Sequence, residues 1–232
     1  MKAISHYCSQ SWSEKELIIV PDVREKNWKW IAPYIKSLGR NDIRLDDNLE
    51  PLSLGSLRNR SIDLAEGEVI CQWDDDDLYH PSRLEIQLNH MLANNAQASL
   101  FTDELQYFED IDEWHWVNWV GNDDVPNTLM CMRSIMPRYE PELPQGEDRQ
   151  VQYEIQRKYK TARLTGQGYL YTYVYHGKNF FNRDHHSWIA NNLSYDYSFV
   201  KPRASLLAKH LSSYISLPIT ITCRNGEKVY VG

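Results

Sequence analysis

Four consecutive carboxylates stand in Trp73-Asp74-Asp75-Asp76-Asp77-Leu78. Adjacent aspartates repel one another, so such a run lies in water or gathers round a cation. Glu68-Val69-Ile70-Cys71-Gln72-Trp73 just before it reads as a buried strand. Pro81 after it suits the first turn of a helix whose inward stripe is Leu84, Leu88, Met91 and Leu92. The run therefore falls at the carboxyl edge of a sheet, where open α/β folds bind ligands. Side chains alternate along extended chain, so Asp74 and Asp76 point the same way and offer hard oxygens to Mg²⁺ or Mn²⁺ shared with a diphosphate. A solvated acidic loop is the alternative. An EF-hand is excluded, because the loop has no glycine at its sixth position.

Composition narrows the partners. The net charge is −7 and no basic face is visible, which argues against nucleic acid, since neutralising phosphates needs such a face. An acidic protein that handles a diphosphate brings in positive charge most simply as a divalent cation. Its 15 tyrosines and 8 tryptophans pair an apolar face with one polar group, which suits sugar and base binding as well as core packing. Trp114, Trp116 and Trp119 are candidates for an acceptor platform, with core packing as the other reading. Cys8, Cys71, Cys131 and Cys223 form no Cys-x-x-Cys pair, so reduced cytoplasmic thiols are expected rather than a zinc site or disulfide framework. The first twelve residues lack the apolar core of a signal peptide, and runs such as Leu17 to Val20 are too short to cross a bilayer. Peripheral membrane contact stays open.

These residues need a frame. Short apolar runs alternate with helical patterns in the first half, the signature of βα units and a largely parallel sheet. Strands are expected at 17–20, 68–73, 98–102, 127–133 and 169–175, with helices at 27–38, 54–66, 147–160 and 203–214. Residues 105–120 read as strand and loop, and 177–197 show no clear period. No repeat or low-complexity linker divides the 232 residues. One domain is expected, with a nucleotide-binding half (1–104), an acceptor-binding half (105–200) and a C-terminal helix and strand (201–232).

The wider sequence resembles the family 2 glycosyltransferases of the GT-A fold. The resemblance rests on an ordered series: KELIIVPD (15–22), LGSLRNRSIDLAEGEVICQWDDDDLYHPSRLE (54–85), TLMCMRS (128–134) and LPQGEDRQVQYEI (143–155). It implies an α/β fold with a Rossmann-like, mostly parallel sheet flanked by helices. It also implies an inverting, metal-assisted transfer of a sugar, with UDP-hexose as donor, to a carbohydrate or other hydroxyl acceptor. Residue by residue, Asp22 would accept from the nucleotide base, Arg58 and Asp75 would lie near the nucleotide, and Asp74 would face the ribose. Asp76 would hold the metal on the diphosphate, with Asp74 beside it. In Gly146-Glu147-Asp148 the aspartate matches the general base, with Glu147 adjoining. The first turn of a helix keeps such a carboxylate ionised. Among His176, His185 and His186, the histidine at 185 is taken as a third metal ligand or diphosphate donor.

One feature departs from the family. Its members open with a strand and a turn that cradles the base, whereas MKAISHYCSQSW already matches the following helix. Residues 217–226 resemble the missing strand and turn, with Arg224 and Asn225 near the base, and residues 227–232 read as the start of the same helix. A circular permutation is the expectation. Strand exchange in a homodimer and an ordinary C-terminal hairpin are the alternatives. A haloacid-dehalogenase phosphatase would want Thr or Val where Leu78 stands, and a nucleotidyltransferase would want a Gly-rich phosphate loop. A non-catalytic sugar-nucleotide-binding module is the remaining rival.

Overall fold

Local chemistry sets the element ends. Ser53 caps one helix, its Oγ accepting from the Ser56 amide at 3.3 Å. Gly39 closes another in the left-handed region at φ 62°. In chain order the elements are α1 (Lys2–Cys8), β1 (Leu17–Ile19), α2 (Ile31–Leu38), β2 (Ile43–Leu45), α3 (Leu54–Leu64), β3 (Val69–Cys71), β4 (Leu78–Tyr79) and α4 (Arg83–Ala93). Then come β5 (Ala98–Phe101), β6 (Asp103–Phe108), β7 (Glu113–Asn118), β8 (Val125–Met132), α5 (Glu147–Lys158), β9 (Thr161–Leu164) and β10 (Tyr171–Tyr175). The last are α6 (Arg183–Leu193), α7 (Tyr197–Val200), α8 (Ala204–Leu211), β11 (Ile219–Thr222) and β12 (Lys228–Val231). The computed structural model describes all residues except 26, 27, 48, 49, 122 and 144. The expected start of the second helix at Asn27 lies outside the described residues.

The α/β class holds, with the strands in three sheets flanked by helices. β1 and β2 pair alone and in parallel. A four-stranded sheet runs β3-β8-β5-β9, and a six-stranded one runs β12-β11-β7-β6-β10-β4. Pairing is mixed rather than mostly parallel. β5/β9, β6/β10 and β7/β11 are parallel, while β3/β8, β5/β8, β6/β7, β4/β10 and β11/β12 are antiparallel. Of the antiparallel pairs, β6/β7 and β11/β12 are hairpins, which need no helical crossover. The largest apolar cluster lies on the six-stranded sheet and includes Trp116, Tyr171, Leu207, Leu211, Val229 and Val231.

The C-terminal expectation needs correction. Residues 217–226 do not fill a first-strand position beside β1 and β3. β11 instead pairs with β12 on one side and with β7 on the other, Ile221 lying opposite Trp114. Within 227–232 the chain forms strand β12 (Lys228–Val231), not a helix start, because Val229 and Val231 turn inward while Lys228 and Tyr230 are exposed, a period of two. The turn closes with the Gly226 amide donating to the Cys223 carbonyl at 2.9 Å, Gly226 taking φ 81°. The ordinary hairpin is what the chain forms. α6 also escaped the sequence pattern, because its inward stripe of His186, Ile189, Ala190 and Leu193 has a histidine as one member.

Candidate active site

The aspartate run leaves β3 and its four side chains part company. Asp77 is fully buried, accepting from the Tyr171 hydroxyl at 2.5 Å and the Val174 amide at 2.9 Å. Burial, with Asp76 and Asp74 nearby, pushes its carboxyl well above the usual range. It is a strut of the fold. Asp75 is exposed. Asp74 and Asp76 are partly exposed and have separate partners; the run lies in the bend between β3 and β4, so the alternation expected of a strand does not apply to it. Beneath them the buried Arg83 guanidinium lies among the rings of Trp73, Tyr79, Phe101 and Tyr171 and donates to the Gln72 carbonyl at 3.2 Å, fixing where the run begins.

Asp74 meets Arg58 of α3. The Arg58 Nη2 lies 3.4 Å from Asp74 Oδ1 and its Nη1 lies 2.7 Å from Glu147 Oε1. The guanidinium thus joins the end of β3 to the first turn of α5, and its plane lies over the Tyr139 ring at 5.3 Å. Burial opposes the Arg58 charge, but the carboxylates of Asp74, Glu147 and Asp148 outweigh it and raise its pKa. Burial pushes the Asp74 carboxyl up to about 6 even beside Arg58, with Asp76 and Asp148 adding their repulsion and Gln72 donating at 3.2 Å. Glu147 is buried and committed to Arg58, so it positions rather than reacts. Asp148, next in the helix, is only partly buried. It sits where amide dipoles favour an anion.

Asp76 meets the segment after β10. Its Oδ2 takes hydrogen bonds from His176 Nε2 at 3.1 Å and Asn179 Nδ2 at 3.2 Å. His176 Nδ1 accepts from the Lys178 amide at 3.3 Å, which assigns the proton to Nε2. Asn179 Oδ1 accepts from the His176 amide, so the two residues brace each other. A cavity beside them is lined by Asp75, Asp76, Glu109, His176, Tyr107 and the chain's own Met1.

Several expected site residues lie elsewhere. His176, not His185, contacts Asp76. His185 stacks on Phe181 at 4.2 Å, and its pKa is lowered by burial and then by Arg149, with Asp148 opposing. Asp74, Asp76 and His185 do not gather into a metal-binding cluster, and no group of three or more His, Cys, Asp and Glu does so among the described residues. Trp114 and Trp116 are not an acceptor platform: Trp114 is buried and stacks on Tyr107 at 4.1 Å, and Trp116 donates Nε1 to Asp103 at 2.7 Å within the core. They share the inward face of β7, since i and i+2 point together. Arg224 and Asn225 sit in the C-terminal turn, Arg224 donating to the Ser194 carbonyl at 2.8 Å, away from Arg58 and the aspartates because β11 joins the other sheet. Asp22 pairs with Arg24 at 2.6 Å. Gln72, Tyr139 and Asn179 were missed. Of these only Asn179, three residues after a histidine in the His-Gly-x-Asn segment, carried a sequence signal.

An α/β protein with carboxylates following strand β3 and a second acidic pair opening α5, joined to them through Arg58, defines the class. The profile of glycosyl transferase family 2 matches residues 2–187, and the chain belongs to that family. It is 33% identical over 106 residues to an Escherichia coli (strain K12) protein described as a colanic acid biosynthesis glycosyl transferase, WcaA, covering 45% of this chain and 37% of WcaA. The chain thus spans little more than a third of that relative. Among solved structures it is similar to S. aureus TarS 1–349 in complex with UDP-GlcNAc, with TM-score 0.59, 14% identity, and 92% of this chain and 63% of that one covered. The same protein in complex with UDP gives TM-score 0.59, 13% identity, and coverage of 87% and 67%. These likenesses speak for the fold. Among the described residues no helix is long and apolar enough to cross a membrane.

Proposed function

We propose that the chain transfers a sugar from a nucleotide diphosphate donor, a UDP-hexose, to a hydroxyl acceptor with inversion at the anomeric carbon. The observation that supports this reading is the Arg58 bridge, which joins Asp74 to Glu147, the residue before Asp148 in the first turn of α5. The ligands named in the TarS structures, UDP and UDP-GlcNAc, support a UDP-sugar donor.

The residues fit a shared cation rather than a cage. Mg²⁺ and Mn²⁺ are commonly held by one or two carboxylates plus substrate phosphates. The partly exposed Asp76, with Asp74 beside it, supplies that kind of oxygen. Bound there, Mn²⁺ or Mg²⁺ would neutralise charge on the leaving diphosphate. Arg58 holds Asp74 and Glu147 in register, and His176 and Asn179 orient the Asp76 carboxylate. Asp148 takes the proton of the acceptor hydroxyl. That oxygen attacks the anomeric carbon from the opposite face, the bond from that carbon to the diphosphate oxygen breaks, and the nucleoside diphosphate leaves with the electron pair. One displacement inverts the configuration without a covalent intermediate.

The test is release of UDP from UDP-hexoses with Mn²⁺ present or chelated. Mn²⁺-dependent release is expected; a protein that binds donor and releases nothing is a binding module, and the reading fails.

A further inference from the structure

His6 of α1, His80 just after β4 and His210 of α8 stand far apart in the sequence and meet in one aromatic layer. The rings of His80 and His210 lie 5.4 Å apart, centroid to centroid. Tyr169 stacks on His210 at 4.1 Å. Tyr214, in the turn after α8, stands edge-on to His80 at 5.6 Å and to His6 at 6.2 Å. Its hydroxyl donates to the Tyr169 carbonyl at 2.6 Å, which fixes the ring between them. Leu207 and Leu211 seat the rest of α8 in the largest apolar cluster, both fully buried.

These contacts suit neutral rings. His80 is buried, and its Nδ1 accepts from the Ser82 amide at 3.0 Å, so the neutral ring carries its proton on Nε2. A second proton has to enter at Nδ1, where it sets one N–H against another just before α4. No carboxylate is paired with any of the three histidines among the described residues. Glu85, in the first turn of α4, takes the Ser11 hydroxyl at 2.5 Å, and Asp103, behind Tyr169, is taken by Trp116, Gly166 and Gly168. Burial lowers the pKa of all three histidines, His80 to about 4. The neighbouring cations push the same way, His210 acting on His80 and Lys209 on His210. At His6 a bond to the Tyr79 backbone opposes burial and Lys2 adds to it.

We propose that this layer is an acid-operated latch: neutral rings hold α8 against β4 and α1, and protonation of His80 and His210 sets two unpaired cations side by side and releases the helix. The sign follows from burial. The closed form binds a proton at His80 less readily than the open form, in which the ring returns to its ordinary 6.5. The latch is therefore closed above about pH 6.5 and loosens as pH falls toward about 4. It grips the strand into which the aspartate run leads. Tyr79 in that strand lies 6.3 Å from His6, stacks on Trp73 at 3.8 Å and donates its hydroxyl to the Asp74 carbonyl at 2.9 Å. Nothing in this inference depends on sugar transfer.

The experiment is site-resolved hydrogen exchange on the 232-residue protein at about pH 7.5 and about pH 5, with the histidine ring protons titrated by NMR alongside. The Ser212 and Tyr214 amides donate to the Ala208 and Leu211 carbonyls and report on α8 and its turn. Their protection factors are expected to fall by about 30-fold over that range from His80 alone, while those of β5 and β8 hold. His80→Asn keeps an acceptor for the Ser82 amide but takes no charge, and should remove that fall. His90→Asn, outside the layer, should keep it. The proposal is overturned if the Ser212 and Tyr214 amides stay protected at the lower pH, or if His80→Asn loses protection as the parent does. It is equally overturned if β5 opens in step with α8, since that is global unfolding. Should His80→Asn not fold, the parent's His80 ring decides: a midpoint well below 6.5 supports the latch, and one at 6.5 sinks it. Neither donor nor metal enters the readout, so a failed transfer assay leaves this result standing.

Discussion

Two acidic pairs in this chain carry the same chemistry to opposite ends. Asp74 and Asp76, just after β3, are partly exposed and held by side chains, those of Arg58 and His176. Asp103 and Glu104 at the start of β6 are buried, and Asp103 is bound on every side: Trp116 Nε1 and the amides of Gly166 and Gly168 all donate to it at 2.7 Å. A Cβ on Gly168 would come within 2.7 Å of Asp103 Oδ2, so only glycine lets that loop close on the carboxylate. Glu104 accepts from Trp119 at 3.0 Å, and its other oxygen has no partner among the described residues. Charge alone does not mark a site; exposure and the kind of donor do. A carboxylate satisfied by backbone amides is structural, whereas one steadied by side chains at a cavity can exchange them for a ligand.

That contrast can be broken by substitution. Asp148→Asn is expected to lower the rate of UDP release or transfer by about 10²–10⁴-fold with melting temperature unchanged; a rate within a factor of a few of the parent removes Asp148 as base. Asp103→Ala should do the reverse, destabilising the fold by about 3–5 kcal/mol, since three donors, two of them buried, lose their acceptor. Urea unfolding measures it, and a loss under about 1 kcal/mol would contradict the structural role. His176→Ala should weaken Mn²⁺-dependent activity by about 10–100-fold through a disordered Asp76, whereas His185→Ala should change metal dependence little. Equal effects would restore His185 as the metal-side histidine.

The smallest effect is a pH dependence. Burial raises the Glu104 carboxyl to about 8, against an ordinary value of 4.5. Between these values the folded state holds the proton more tightly than the unfolded chain, so stability falls as pH rises from about 4.5 to about 8. Glu104→Gln keeps an acceptor for Trp119 and should flatten that slope, gaining about 2 kcal/mol over the parent at the upper end. Parallel stability curves for the two proteins would show that Glu104 does not titrate there.

Much of this was legible in residue order. The strand into the aspartates and the acidic start of α5 follow from spacing. What was not legible depended on which sheet a segment joins. Trp114 and Trp116 look like a stacking surface until β7 is found between β6 and β11, with Trp116 fully buried and Trp114 nearly so. Residues 217–226 carry the alternation of a strand, but alternation does not say where a strand docks. His176 and His185 lie nine positions apart in a stretch without period, and only the turn braced by Asn179 decides which reaches Asp76. Cross-chain partners such as Tyr139 leave no mark on local pattern.

The proposal that the aspartates hold a cation-bound diphosphate is tested most directly by calorimetric titration of UDP into the parent and Asp76→Asn proteins, each with Mn²⁺ and with chelator. Mn²⁺ is expected to tighten UDP binding at least tenfold, about 1.4 kcal/mol, in the parent and to make no difference in Asp76→Asn. Affinity that is the same in all four titrations would contradict the account.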